Sequence, residues 1–184
     1  MKPAEKLLGH FDRLAGSTPR FVQVSQSDAH PAIYVAIYQG FPDPDATTGF
    51  TVGLSHFLPP GGAHRELTIS MRDSDEAWAL ACGFLAFQLR NCCPFIWGHT
   101  INFREQIAKS SLMSAFVVIR PCHFASVDAQ IDLGARQVEL VQLLPLYETE
   151  REWLVAGGDL KPVLNAVSSA QWMNPARDSF VPKR

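Results

Sequence analysis

Charge of one sign is scarce: 16 Lys and Arg stand against 18 Asp and Glu, a net charge of −2, and no run of like charges occurs. Nucleic-acid binding rests on lysine and arginine neutralising phosphates, so this balance gives no electrostatic reason for a nucleic-acid partner. No apolar run reaches the roughly 18–20 residues that span a bilayer. The most apolar run, AWALACGFLAF, is too short for that. The opening residues MKPAEKLLGHFDRLAG lack the continuous apolar segment and the small-residue cleavage site of a signal peptide. These features predict a cytoplasmic protein with no membrane association.

Motifs for common cofactors are missing too. Four cysteines are present, Cys82, Cys92, Cys93 and Cys122. None forms a C-x2-C pair, and no H-E-x-x-H helix occurs. Cys92, Cys93 and His99 are near one another in sequence, and Cys122 adjoins His123. Adjacent side chains do not easily turn towards one ion, which leaves a zinc site assembled from distant segments as the alternative. Reduced thiols, no metal and no cofactor are the expectation. LPPGGAH (58–64) is neither a P-loop nor a dinucleotide fingerprint, because no Lys-Ser/Thr follows and a strand comes next.

What is present suits one domain with a real core: 184 residues, of which 47% are hydrophobic. Residues 4–15 predict an amphipathic helix with Leu7, Leu8, Phe11 and Leu14 on one face. RFVQVSQ and AIYVAIYQG predict strands joined through SDAHP. FPDPDATTG predicts a loop and FTVGLSHF a third strand. RELTISMR alternates, with Glu66, Thr68 and Ser70 on one side and Leu67, Ile69 and Met71 on the other, which predicts a strand with one buried face. Asp73 and Glu76 then open the best helix, whose wide apolar face includes Trp78, Ala81, Leu85 and Leu89. PFIWGHTINF is ambiguous between loop and extended chain. SAFVVIRP and RQVELVQLLPLY predict strands, followed by two short helices near 149–156 and 159–167. The fold class is therefore α+β: one domain over residues 1–170, a mixed, largely antiparallel sheet with helices packed on it, and an irregular tail over 171–184.

LLPLYETEREW places three glutamates in five residues. Thr149 with Glu152 fits a capping box, and Glu148 and Glu150 suit the positive end of the helix dipole. The spacing supplies no second, facing acid, so capping is preferred to acid–base catalysis. In GLSHF, Ser55 and His56 would point to opposite faces of a strand and cannot pair as nucleophile and base.

The ordered set TVGLSHF, RELTISM, the Trp-bearing helix, GHTI and LLPLYETERE resembles suppressor-of-fused-like domains over residues 34–164. The positions that carry the pattern are Gly53, Ser55, Glu66, Leu67, Gly98, Pro145, Leu146, Thr149 and Glu150. These mark either the fold or a partner surface. The resemblance implies a non-enzymatic protein-binding domain without catalytic residues. Animal members resemble the chain in one half only and hold a transcription factor. Short bacterial members resemble it over their full length, and many are thought to be immunity proteins that neutralise a cognate toxin. The bacterial comparison is the closer one for a chain of this length. Its partner is then another protein, with a toxin domain as the candidate, and the chain itself is a monomer or weak homodimer.

Two function classes follow. A binding module would use surface complementarity or add a partner strand to a sheet edge. Phe41, Asp43, Asp45 and His64 are its candidate contacts, an acidic and aromatic surface suited to a basic partner. The alternative is a hydrolase using Ser55 with a histidine base and a carboxylate. That alternative requires a histidine imidazole within reach of Ser55.

Overall fold

The computed structural model describes residues 2–24, 30–168 and 171–181. Helix α1 (Pro3–Ala15) begins with a proline in its first turn and ends at Gly16, which adopts the left-handed conformation. The strands that follow are β1 (Arg20–Gln23), β2 (Tyr34–Gln39), β3 (Thr47–Val52) and β4 (Arg65–Met71). Helix α2 (Ala77–Leu89) leads to β5 (Thr100–Asn102), β6 (Ala115–Ile119), β7 (Gln130–Asp132) and β8 (Gln137–Leu146). Two short helices close the chain, α3 (Glu148–Val155) and α4 (Lys161–Ser168). Most of the expected link between the first two strands, residues 25–29, lies outside the described residues, as do residues 169–170 and 182–184.

Among the described residues the strands form one sheet in the order β1-β2-β3-β4-β8-β6-β5, with β7 beside the first residues of β8, on the edge that β6 takes further along. Every pairing is antiparallel except β4 with β8. That parallel pair is possible because a long excursion, including α2, separates the two strands in sequence.

One face of the sheet carries Leu67, Ile69, Met71, Phe116, Val118, Val141 and Leu143, packed under Trp78 and Leu85 of α2. On the other face α1 covers one end, where Phe11 stacks on Phe50 at 4.4 Å. The far end is covered by Val163 of α4 and by Trp172 and Met173. The alternation expected for β4 is correct, but the expectation of one buried face is not. Glu66, Thr68 and Ser70 are each 0% exposed: the turn after β3 closes over Glu66, and His123 lies on Ser70.

Three local expectations are also corrected. The third strand ends at Val52, and Leu54–His56 form a single 3-10 turn. Gly53 makes that change with φ +117°, and a Cβ there would sit 2.4 Å from the Ala32 carbonyl oxygen. Helix α2 starts at Ala77 rather than beside Asp73, because Asp73 accepts the Asp75 N–H and the Trp78 indole N–H instead. Finally, α3 begins one residue early. Its capping carboxylate is Glu150, which takes the Tyr147 N–H at 2.9 Å, so Thr149 and Glu152 are not the box.

Helix α2 approaches the sheet at a glycine. A Cβ on Gly49 of β3 would lie 2.7 Å from Ala79 Cβ and 2.9 Å from its Cα. Gly49→Ala forces the helix away from the sheet and is expected to lower stability by about 1–3 kcal/mol. The urea midpoint measures this, and an unchanged midpoint would contradict the close approach.

Candidate functional site

Apart from Gly98, the resemblance-bearing positions fall into two clusters. In the first, Glu66 projects from β4 under the 3-10 turn. Its Oε1 accepts the N–H groups of Gly53 (2.9 Å) and Ser55 (3.0 Å). Its Oε2 accepts the Thr51 hydroxyl (2.7 Å) and the Leu54 N–H (3.3 Å). Thr51 in turn accepts the Leu67 N–H at 2.7 Å. Burial pushes the Glu66 carboxyl above its usual range, and the Thr51, Ser55 and Gly53 donors pull it back. Its partners among the described residues are backbone N–H groups and one hydroxyl, so the carboxylate is a plug for these donors and sets the turn.

This geometry bears directly on the hydrolase alternative. Ser55 is 2% exposed and its side chain turns to Glu66. The imidazole of His64 meets the Ser55 carbonyl oxygen at 2.8 Å, not the hydroxyl. His56 pairs with Arg136. Neither contact provides the nucleophile–base hydrogen bond that the hydrolase requires.

The second cluster closes the C-terminal stretch onto the end of β8. Glu150 and Arg177, both buried, pair through two parallel bonds of 2.7 Å. Arg177 also donates to the Pro145 carbonyl at 2.9 Å, and its guanidinium lies 3.5 Å from the centre of the Phe180 ring. Leu146 is buried beside them, whereas Thr149 is exposed.

The four candidate contacts do not converge. Phe41 faces inward against Phe50 and His123. Asp43 pairs with Arg72 at 2.7 Å, and Asp45 lies 3.7 Å from the same guanidinium. Since Thr47 of β3 pairs with Met71 of β4, that loop sits at one end of the pair and His64 at the other.

A different surface combines an open backbone with exposed apolar groups. Strand β5 is the edge of the sheet after β6. The Phe103 N–H is bonded to Ser114 and the His99 carbonyl to Val118, so the antiparallel alternation also turns Ile101 towards β6. Thr100 and Asn102 therefore point their N–H and C=O groups away from the sheet, where no described strand pairs them. Gly98, with φ +84° and its N–H on Val118, starts this edge. Arg104, with φ +69°, ends it. The Asn102 amide donates to Glu148 at 3.2 Å and ties the edge to the start of α3.

Grooves flank β5 on both faces. One, of about 650 Å³, is lined by Phe84 and Leu89 of α2 with Ile101 and Phe103. The other, of about 550 Å³, is lined by Trp97, Thr100, Leu154 and Val155. Their rims are apolar and exposed: Phe84 by 49%, Trp97 by 56% and Val155 by 64%. Sequence reading left this region undecided, because a three-residue strand shows no periodicity. The available signal was Ile96 and Trp97 beside a glycine and away from any core pattern.

Four of the motif positions lie in the elements around this edge. Gly98 turns the chain into β5, while Pro145, Leu146 and Glu150 fix α3, whose Leu154 and Val155 form one groove wall. Among the described residues no group of three or more His, Cys, Asp or Glu could hold a metal ion. No described helix is long and apolar enough to cross a membrane.

Comparison with known proteins agrees with this architecture. No curated protein sequence is significantly similar to the chain. A crystal structure of a suppressor of fused homologue from Neisseria gonorrhoeae FA 1090 superposes with a TM-score of 0.78 at 16% identity, over 98% of each chain. A chain of the Sufu–Fu complex gives 0.65 at 18% identity, over 97% of this chain and 92% of that one. Drosophila Suppressor of fused gives 0.67 at 17% identity, over 97% of this chain and 51% of its own. The family described as Suppressor of fused protein matches residues 29–172, and this chain belongs to it.

Proposed function

We propose that this chain is a non-enzymatic, cytoplasmic protein-binding domain that takes an extended segment of its partner along β5. The observation that carries the reading is the edge at Thr100 and Asn102, unpaired among the described strands, with a groove of mixed lining and exposed apolar rims on each face. A strand added there gains main-chain hydrogen bonds, and its alternate side chains enter the two grooves. A family relative is solved in a complex, Sufu with Fu, which supports a binding role for the fold.

The partner we assign is a toxin that the chain neutralises, as in the short bacterial type. Similarity over 98% of each chain to the Neisseria homologue supports that comparison. Asp45, more exposed than Asp43, is the second contact in this reading and suits a basic partner.

The test pairs the chain with products of neighbouring genes in one cell. A neighbour that kills cells only when this chain is absent is the expected result. Phe84→Asp puts a charge on the groove rim and is expected to weaken binding of that neighbour by about 30-fold or more, the loss typical of a central aromatic anchor. The fold stays intact, because Phe84 is half exposed, and protection is lost. Unchanged affinity in Phe84→Asp would place the partner elsewhere, and harmless neighbours throughout would remove the toxin assignment.

A further inference from the structure

His123 lies where three segments outside the strands meet. Its ring stands edge-on to Phe41 at 5.5 Å and to Phe124 at 4.7 Å, and is stacked with Trp172 at 6.1 Å. Below it, Nε2 is 3.3 Å from the Ser70 hydroxyl. The proton order in this cluster has one consistent solution. The Phe41 carbonyl only accepts, so the Thr48 hydroxyl donates to it. Ser70, 2.7 Å from Thr48 Oγ1, then donates to Thr48. Ser70 Oγ is left to accept from His123 Nε2–H.

On the other side of the ring Nδ1 is enclosed and unpaired. The Gln142 side chain lies against the ring. Its Oε1 accepts the Cys122 N–H at 3.1 Å and the thiol at 3.2 Å, which leaves the amide Nε2 as the enclosed, unpaired end. Nδ1 and that amide nitrogen therefore both stay without a partner among the described residues. A second proton would put a charge in an enclosed place that water does not reach.

We propose that His123 is an acid-sensitive latch: neutral, it holds the loop 40–46 and the stretch 171–173 on the sheet, and its protonation releases both. The charged group acting on the ring is Asp43 of that loop, whose carboxylate is held by Arg72 at the end of β4. Gln142 of β8, Ser70 of β4 and Trp172 face the ring without charge, and the Cys122 thiol on its own loop, pushed up to about 11 by burial, stays neutral. An imidazolium competes with Arg72 for Asp43, which loosens the loop further.

Burial lowers the His123 pKa to about 4, with Asp43 and then the Gln142 side chain pulling the other way. Once released, the imidazole returns to the ordinary value of about 6.5. The latched form is therefore fully favoured above that value. It loses about tenfold in its ratio to the released form for each pH unit between 6.5 and 4.

The reporter is the Arg72 N–H, which donates to the Met173 carbonyl at 2.8 Å. Hydrogen exchange on the full chain, corrected for intrinsic rate, is expected to quicken at that amide by about tenfold or more from pH 7 to pH 5. Amides inside α2 should show no such step, and His123→Gln should abolish it. A step that persists in His123→Gln, appears equally in α2, or is absent from the native chain overturns the proposal. Should the variant fail to fold, nitrogen NMR of the native imidazole decides. An Nε2–H tautomer that stays neutral below pH 5.5 supports the latch, and an Nδ1–H tautomer or an ordinary titration refutes it.

Discussion

Arg177→Ala is expected to destabilise the protein by about 3–5 kcal/mol, the usual cost of leaving one charge of a buried pair behind. Glu150 would keep the N–H groups of Tyr147 and Phe180 but lose both guanidinium bonds while still enclosed. The Pro145 carbonyl would lose its donor as well. Urea unfolding measures the loss, and proteolysis after residue 174 should become fast. The comparison is Arg20→Ala, which breaks a half-exposed pair with Glu76 and should cost no more than about 1 kcal/mol. Replacing both buried charges, as Glu150→Leu with Arg177→Met, should recover only part of the loss: no charge is orphaned, but the Tyr147 and Phe180 N–H groups and the Pro145 carbonyl lose their partners. A single-variant cost near that of Arg20→Ala would show that the pair does not close the C-terminal stretch.

Glu66→Gln is expected to cost about 2–4 kcal/mol, although the two side chains have nearly the same shape. Both oxygens of Glu66 receive only donors, at least two each. An amide turns one acceptor into a donor, so either Gly53 and Ser55 or Leu54 and Thr51 lose their partner. Each enclosed donor left unmade costs about 1–3 kcal/mol. The damage should be local: exchange at Ser55 should quicken most, and His64 should shift, since its imidazole rests on the Ser55 carbonyl. Stability within about 0.5 kcal/mol of the native chain would mean that the turn does not need the carboxylate.

Strands β2, β4, β6 and β8 were legible because each shows alternation or a dense β-branched run over five or more residues. Helices α1 and α2 were legible from their apolar faces. What escaped was set by contacts far away in sequence. Nothing near Glu66 announces that the second face of β4 is roofed, because the roof comes from residues 53–55, from His123 and from residues 172–173. The glutamates after Tyr147 were rightly read as helix-start residues, yet the identity of the capping acid depends on Arg177, 27 positions later. The irregular composition of residues 171–181 concealed a buried Trp172, Met173 and Arg177.

The candidate site was less legible than the fold. Loop 41–45 drew attention through its composition, but Arg72 on another strand engages its acids and Phe41 turns inward. Strand β5 has three residues, and its openness is a property of sheet order, which local sequence does not encode. His123 was visible only as the neighbour of a cysteine, whereas its setting depends on Ser70, Gln142 and Trp172.

Amide exchange at Thr100 and Asn102 tests the binding account most directly. In the free chain these two N–H groups face away from β6 and should exchange quickly, while Ile101 and Phe103 are protected. When the bound partner is added, Thr100 and Asn102 should become protected by about tenfold or more, the effect of at least one new backbone hydrogen bond on each side of Ile101. A partner that binds tightly while both amides exchange as before would show that the edge of β5 is not where this domain holds its target.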